Sequence, residues 1–93
     1  MKPAHPATLR AHADTAAALD FNDRQDFDDA QRGFIDTLPD AHIEADAGGT
    51  AWSLRPYGFL AGDAPPTVHP SLWRMAQLNA IHGLFRVREG VYQ

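Results

Sequence analysis

The 93-residue chain predicts a small α+β fold with two to three helices, a few short strands and a C-terminal β-hairpin. Three observations predict it. Apolar residues recur at helical spacing in two separated segments, 22–39 and 69–84. Between those segments the pattern changes to two short extended pieces around a turn at 46–49. The last ten residues, LFRVREGVYQ, read as a strand, a tight turn and a returning strand.

Each element follows from its residues. Residues 1–6 carry two prolines and read as a flexible tail. Residues 8–19 are alanine-rich and helical on propensity, but a face of small side chains has little to bury and a short isolated helix is marginal in water. Residues 1–20 are therefore set apart as a variable tail and helix, with 21–93 as the structured segment. In NDRQDFDDAQRGFIDTLPD, Phe27, Ala30, Phe34 and Leu38 share a helical face with Ile35 beside them. Asn22 or Asp23 caps its start, Asp26 sits near the positive end of the helix dipole, and Pro39 ends it. Gly33 inside that helix costs up to about 1 kcal/mol relative to alanine and allows close packing. HIEADAGGTAWSL supplies the two short strands. RPYGFLAGDAPPTVHP, with four prolines and two glycines, is an irregular connection whose Tyr57, Phe59 and Leu60 are expected to be buried.

HPSLWRMAQLNAIHGLF is the strongest helix. Pro70 suits its first turn, His69 and Ser71 are capping candidates, and Gly83 suits its end. Leu72, Trp73, Met75, Ala76, Leu78, Ala80, Ile81 and Leu84 cover most of its circumference, so it calls for cover on more than one side. The hairpin follows as 84–88, a Glu89-Gly90 turn, and 91–93.

Composition excludes several classes. A net charge of −4 leaves no basic face for nucleic acid or an anionic membrane surface. With no cysteine there is no disulfide framework and no thiolate zinc site. The N-terminus has no continuous apolar core, so neither a signal peptide nor a membrane span is expected, and a cytoplasmic location follows as an expectation.

The candidate chemistry is thin. His5, His12, His42, His69 and His82 show neither a His pair four apart on a helix nor a His-x-His strand spacing, so no bound metal is expected. His5 and His12 read as exposed, and His82 as hydrogen-bonded near the end of its helix. Asp23, Asp26, Asp28 and Asp29 lack the glycine and terminal glutamate of a calcium loop, and read as dipole compensation with Arg24 and Arg32 pairing locally. Ser53 and Ser71 have no nucleophile-elbow context. Trp52, Tyr57, Phe59 and Trp73 read as core. No catalytic, metal-binding or substrate-binding residue is assigned.

What remains is unpartnered apolar surface. The last helix is too apolar for this chain to cover, and the final strand offers an edge of the kind complete domains usually protect. Both point to a fragment, or to a subunit completed by another chain. The candidate association surface is Trp73, Met75, Leu78, Val91 and Tyr92, serving either a downstream catalytic polypeptide or a second copy.

The stretches DFNDRQDFDDAQRGFI and GDAPPTVHPSLWRMAQLNAIHGLFRVREGVYQ resemble the N-terminal region of bacterial alkyl sulfatases. The resemblance covers residues 20–93 and is most specific over 70–93, where Trp73, Gln77, Asn79, His82, Gly83 and the hairpin occur in order. It implies a zinc-dependent enzyme of the metallo-β-lactamase superfamily that uses two zinc ions to hydrolyse sulfate esters of long-chain alcohols. The hairpin would then lead into the αββα sandwich, and the His-x-His-x-Asp-His motif would lie downstream. No catalytic or metal residue carries over, and this chain alone is expected to be inactive. Family members are often periplasmic or secreted. The family usually has Asn where this chain has His69, which implies a weaker start to the last helix.

Overall fold

The computed structural model describes residues 2–93; Met1, part of the expected tail over 1–6, lies outside them. Three α-helices and five strands run in the order α1 (Pro6–Ala18), α2 (Gln25–Gln31), β1 (Phe34–Asp36), β2 (His42–Glu44), β3 (Thr50–Ser53), α3 (Pro70–Asn79), β4 (Leu84–Arg88) and β5 (Val91–Tyr92). A single 3₁₀ turn, Arg55–Tyr57, follows β3.

The two longer helices start in the same way. Each opens on a His-Pro pair, with proline at the first helical position, where its missing N–H costs nothing. In each the histidine side chain is the cap. His5 Nδ1 accepts from the Ala7 N–H at 3.1 Å, and His69 Nδ1 accepts from the Ser71 N–H at 3.2 Å. The imidazole of His69 thus makes the bond expected of an asparagine cap.

The segment expected to form one helix over 22–39 is instead split. α2 stops at Gln31, and residues 34–36 form β1. Gly33 causes the break: its φ of 77° is left-handed. A Cβ there would lie 2.1 Å from the Arg86 carbonyl oxygen, so only glycine lets the backbone come this close to β4. Its own carbonyl accepts from the Arg86 N–H at 2.8 Å. Asp23, rather than a residue of the helix proper, holds the start of α2 through its Oδ1 and the Gln25 N–H at 3.0 Å. Pro39 therefore follows a strand, not a helix.

β1, β4 and β5 form an antiparallel sheet in the order β1-β4-β5, with Phe34 opposite Phe85 and Arg86 opposite Tyr92. Phe85 and Gln93 exchange both backbone bonds, at 2.7 and 2.8 Å, which secures the hairpin. β2 and β3 make a separate two-stranded sheet with Ile43 opposite Trp52, closed by the expected turn with Gly48 and Gly49 at positive φ. α3 ends at Asn79 rather than at Gly83. Gly83 serves a different purpose: a Cβ there would meet the Asp36 carbonyl oxygen at 2.7 Å, so its lack of side chain admits the end of β1.

The core is small. Among the described residues only Pro70 and Trp73 are buried. The chain spans 48 × 37 × 15 Å, one layer of structure thick, with a radius of gyration of 17.1 Å. A compact chain of this length has a radius of gyration of about 12 Å. The accessible surface is 7333 Å². A compact monomer of this size exposes about 5,300 Å².

Candidate functional site

α3 is the pivot of the structure. Trp73 faces inward, 8% exposed, with its indole Nε1 donating to the Gly62 carbonyl at 3.0 Å and the Phe59 ring edge-on at 6.0 Å. Gln77, one turn later, donates to the same carbonyl at 3.0 Å. These bonds fasten the proline-rich connection onto α3. Trp73 is therefore a support beneath the surface, which takes it out of the open association face expected from the sequence.

The opposite side of α3 is open. Leu72 and Met75 are 63% and 59% exposed, while Leu78 is half-buried. Val91 and Tyr92, on the outermost strand, are exposed as well. Of the five residues proposed for association, Met75, Val91 and Tyr92 thus lie open, and they fall on two different elements. Leu72, one turn before Met75 and Ala76, shares this open face.

The aromatic residues expected in the core divide differently from Trp73. Tyr57, Phe59 and Trp52 are all exposed, and Leu60 is half-buried. Phe59 meets the Trp73 ring edge-on and still stays 66% exposed, because the core is too small to cover it. Trp52 lines an open groove of about 710 Å³ with Leu38, Ile43, His82 and Leu84, between the two sheets. On its edge His82 keeps Nδ1 3.2 Å from the Ala80 carbonyl oxygen, as expected, while its Nε2 is buried without a partner and the Trp52 ring lies edge-on at 5.8 Å.

The electrostatics are those of a scaffold. Arg32 pairs with Asp29 within the α2 region, whereas Arg24 stacks on the Phe27 ring at 3.7 Å instead of pairing. Arg74 reaches from α3 to the Asp23 carbonyl at 2.9 Å and to Asp26 at 3.4 Å, joining α2 to α3. Asp40 and Arg55 pair across the open end of the β2–β3 hairpin. The Arg55 guanidinium, hydrogen-bonded to Asp40, holds that carboxyl below the usual aspartate range and raises its own already high pKa.

Among the described residues no three His, Asp or Glu side chains come together as a metal site requires. No helix is long and apolar enough to cross a membrane.

Comparison with known proteins places this arrangement. No protein-family model matches the chain. It is 50% identical over 93 residues to an alkyl/aryl-sulfatase of Saccharomyces cerevisiae. It is 45% identical over 94 residues to a linear primary-alkylsulfatase, and 42% over 93 to an (R)-specific secondary-alkylsulfatase, both of Pseudomonas. Each match covers 99% of this chain but 14% of the relative, so the chain spans about one seventh of their length. The solved structure of a stereoselective inverting sec-alkylsulfatase, Pisa1 from Pseudomonas, superposes with a TM-score of 0.88 at 43% identity, again over 99% of this chain and 14% of that one. The yeast relative extends the resemblance beyond bacteria. Over nearly its whole length, the chain is homologous to the N-terminal region of alkylsulfatases.

Proposed function

We propose that this chain is a non-catalytic N-terminal segment of an alkylsulfatase, and that it serves the enzyme by packing its open apolar surfaces against the remaining polypeptide. The observation that carries this reading is the surplus of surface. The chain exposes 7333 Å². That is about 2,000 Å² more than a compact monomer of its size. A surplus of that order on one partner corresponds to the larger, obligate class of interface. Leu72 and Met75 on α3, the groove at Trp52, and the outer edge at Val91 and Tyr92 are where it lies.

In this reading the hairpin β4–β5 leads into a metallo-β-lactamase-type αββα sandwich. Two zinc ions there, held by residues outside this chain, supply the Lewis acidity and activated water for cleavage of alkyl sulfate esters. The chain contributes α3 and its covered Trp73 as a platform.

Purified chain given zinc and dodecyl sulfate is expected to release no dodecanol above a protein-free control; release above it overturns the non-catalytic assignment. Mixing the chain with the separately produced remainder of an alkylsulfatase, followed by light scattering on the eluted peak, tests the packing. A one-to-one complex that Leu72→Asp or Met75→Asp abolishes is expected. No complex, or one indifferent to both changes, overturns it.

A second reading is favoured by the outermost position of β5: a small interaction module that pairs with a second copy through α3 and this edge. It expects a dimer in the absence of any other polypeptide.

A further inference from the structure

α1 lies against α3 with none of its own residues fully buried, so specific contacts decide whether it stays there. The most specific is made by two histidines. His12, half-buried on the inner face of α1, has its Nδ1 2.9 Å from the Pro66 carbonyl oxygen. That oxygen can only accept, so Nδ1 of His12 carries the proton. The His12 ring meets the His69 ring edge-on at 5.5 Å and 76°. His69 is the N-cap of α3, and its Nδ1 accepts the Ser71 N–H, so that nitrogen carries no proton.

We propose that His12 and His69 form a proton-sensitive latch, which holds α1 on α3 while His69 is neutral and releases it when His69 is protonated. Three consequences of protonating His69 act in the same direction. The lone pair that caps α3 is consumed, leaving the Ser71 N–H without its acceptor. A positive charge is placed at the positive end of the α3 dipole. That charge also faces His12, whose own protonation keeps its donor to Pro66 but adds a second cation.

Charges of both signs line the neighbouring crevice. The crevice between the helices is lined by Arg24 from the segment before α2, Arg74 from α3, and Asp63 from the connection, with His12 from α1. Arg74 is engaged by Asp26 and the Asp23 carbonyl, and Asp63 is the one carboxylate among the residues lining the crevice. His5 repeats the cap at the start of α1, so acid also frays that first turn, but it does not touch α3 through a ring contact.

The test uses the full chain and the His69→Asn variant, because asparagine caps a helix at least as well but does not titrate. Amide protection in residues 12–18, away from the His5 cap, is measured by hydrogen exchange from pH 7.5 to 5.0 and corrected for intrinsic rates. In the native chain protection is expected to fall by up to about tenfold per pH unit on the acid side of the transition, the slope of a one-proton linkage. In the variant it is expected to stay level. An identical fall in both chains overturns the latch. A second readout needs no variant: the ring-proton titration of His69, followed by NMR, is expected to share its midpoint with the shifts of the α1 amides. Separate midpoints also overturn it.

Discussion

Replacing Gly33 by alanine should open the three-stranded sheet, and the structure allows its cost to be worked out. Two separate terms arise. Gly33 has φ of 77°, a left-handed conformation that costs an L-residue about 1–2 kcal/mol. In addition, the new Cβ would stand 2.1 Å from the Arg86 carbonyl oxygen, a backbone atom that cannot swing aside. Restoring an ordinary contact requires β1 and β4 to part by about 1 Å, enough to break the 2.8 Å bond from the Arg86 N–H to the Gly33 carbonyl, which adds about 0.5–1.5 kcal/mol. The sum is about 1.5–3.5 kcal/mol, set against a total stability of about 5–14 kcal/mol for a chain this long. Gly90→Ala separates the terms. Gly90 has nearly the same φ, 75°, but nothing within 4 Å of the added Cβ, so it carries the conformational cost alone. Urea unfolding followed by far-UV circular dichroism should show Gly33→Ala more destabilised than Gly90→Ala by about 1 kcal/mol. Equal losses would refute the argument that close approach to β4 is what demands glycine here.

Three further outcomes are expected. Trp73→Ala removes the one large buried side chain and should destabilise by about 3–5 kcal/mol, whereas Trp73→Phe, which loses the Gly62 hydrogen bond and part of the ring, should cost less than half of that; thermal melts measure both. Asp40 is held below its usual value of 3.8 by Arg55, so its contribution to folding is present above that pH and is lost as the pH falls through the lower folded value; Asp40→Asn should lower stability at pH 7, with the difference from the native chain shrinking below about pH 4 and vanishing once Asp40 is protonated, as pH-dependent urea unfolding would measure. Leu72→Lys with Met75→Lys should leave the melting temperature of the isolated chain within a degree or two, because neither side chain is covered; a larger loss would show that the α3 face is closed in solution.

The elements legible in the sequence are those whose signals are local. α1 and α3 start where a proline suits the first turn, β2 and β3 flank a glycine turn, and Glu89-Gly90 turns the last hairpin, all within a residue or two of expectation. The failures are tertiary. Phe34, Ile35 and Leu38 continue the helical spacing of Phe27 and Ala30, but β1 gains a sheet partner in β4 that lies 50 residues away, and only Gly33 hints at the change. The partner that Gly33 admits so closely, Arg86, is invisible to any local window. The His12–His69 contact joins residues 57 positions apart and carries no spacing signature, so it too emerged only from the fold. Tyr57, Phe59 and Trp52 show a different limit. Their apolar character says that they call for cover, but not which polypeptide provides it.

That distinction explains why fold and function separate in this chain. Hydrophobic periodicity predicts burial, and a reader assumes that the burial is internal. Here α3 is apolar on nearly every side, yet among the described residues two of its side chains, Pro70 and Trp73, make up the core, and the one-layer shape leaves Leu72 and Met75 without cover. Stability then rests on directional contacts: the Gly62 carbonyl shared by Trp73 and Gln77, Arg74 tying α2 to α3, Asp40 with Arg55 closing a hairpin, and imidazole caps on two helices. Such contacts define a surface geometrically without sealing it. The proposed packing against the rest of an alkylsulfatase would use this division, because a larger internal core would consume the side chains that such an interface requires.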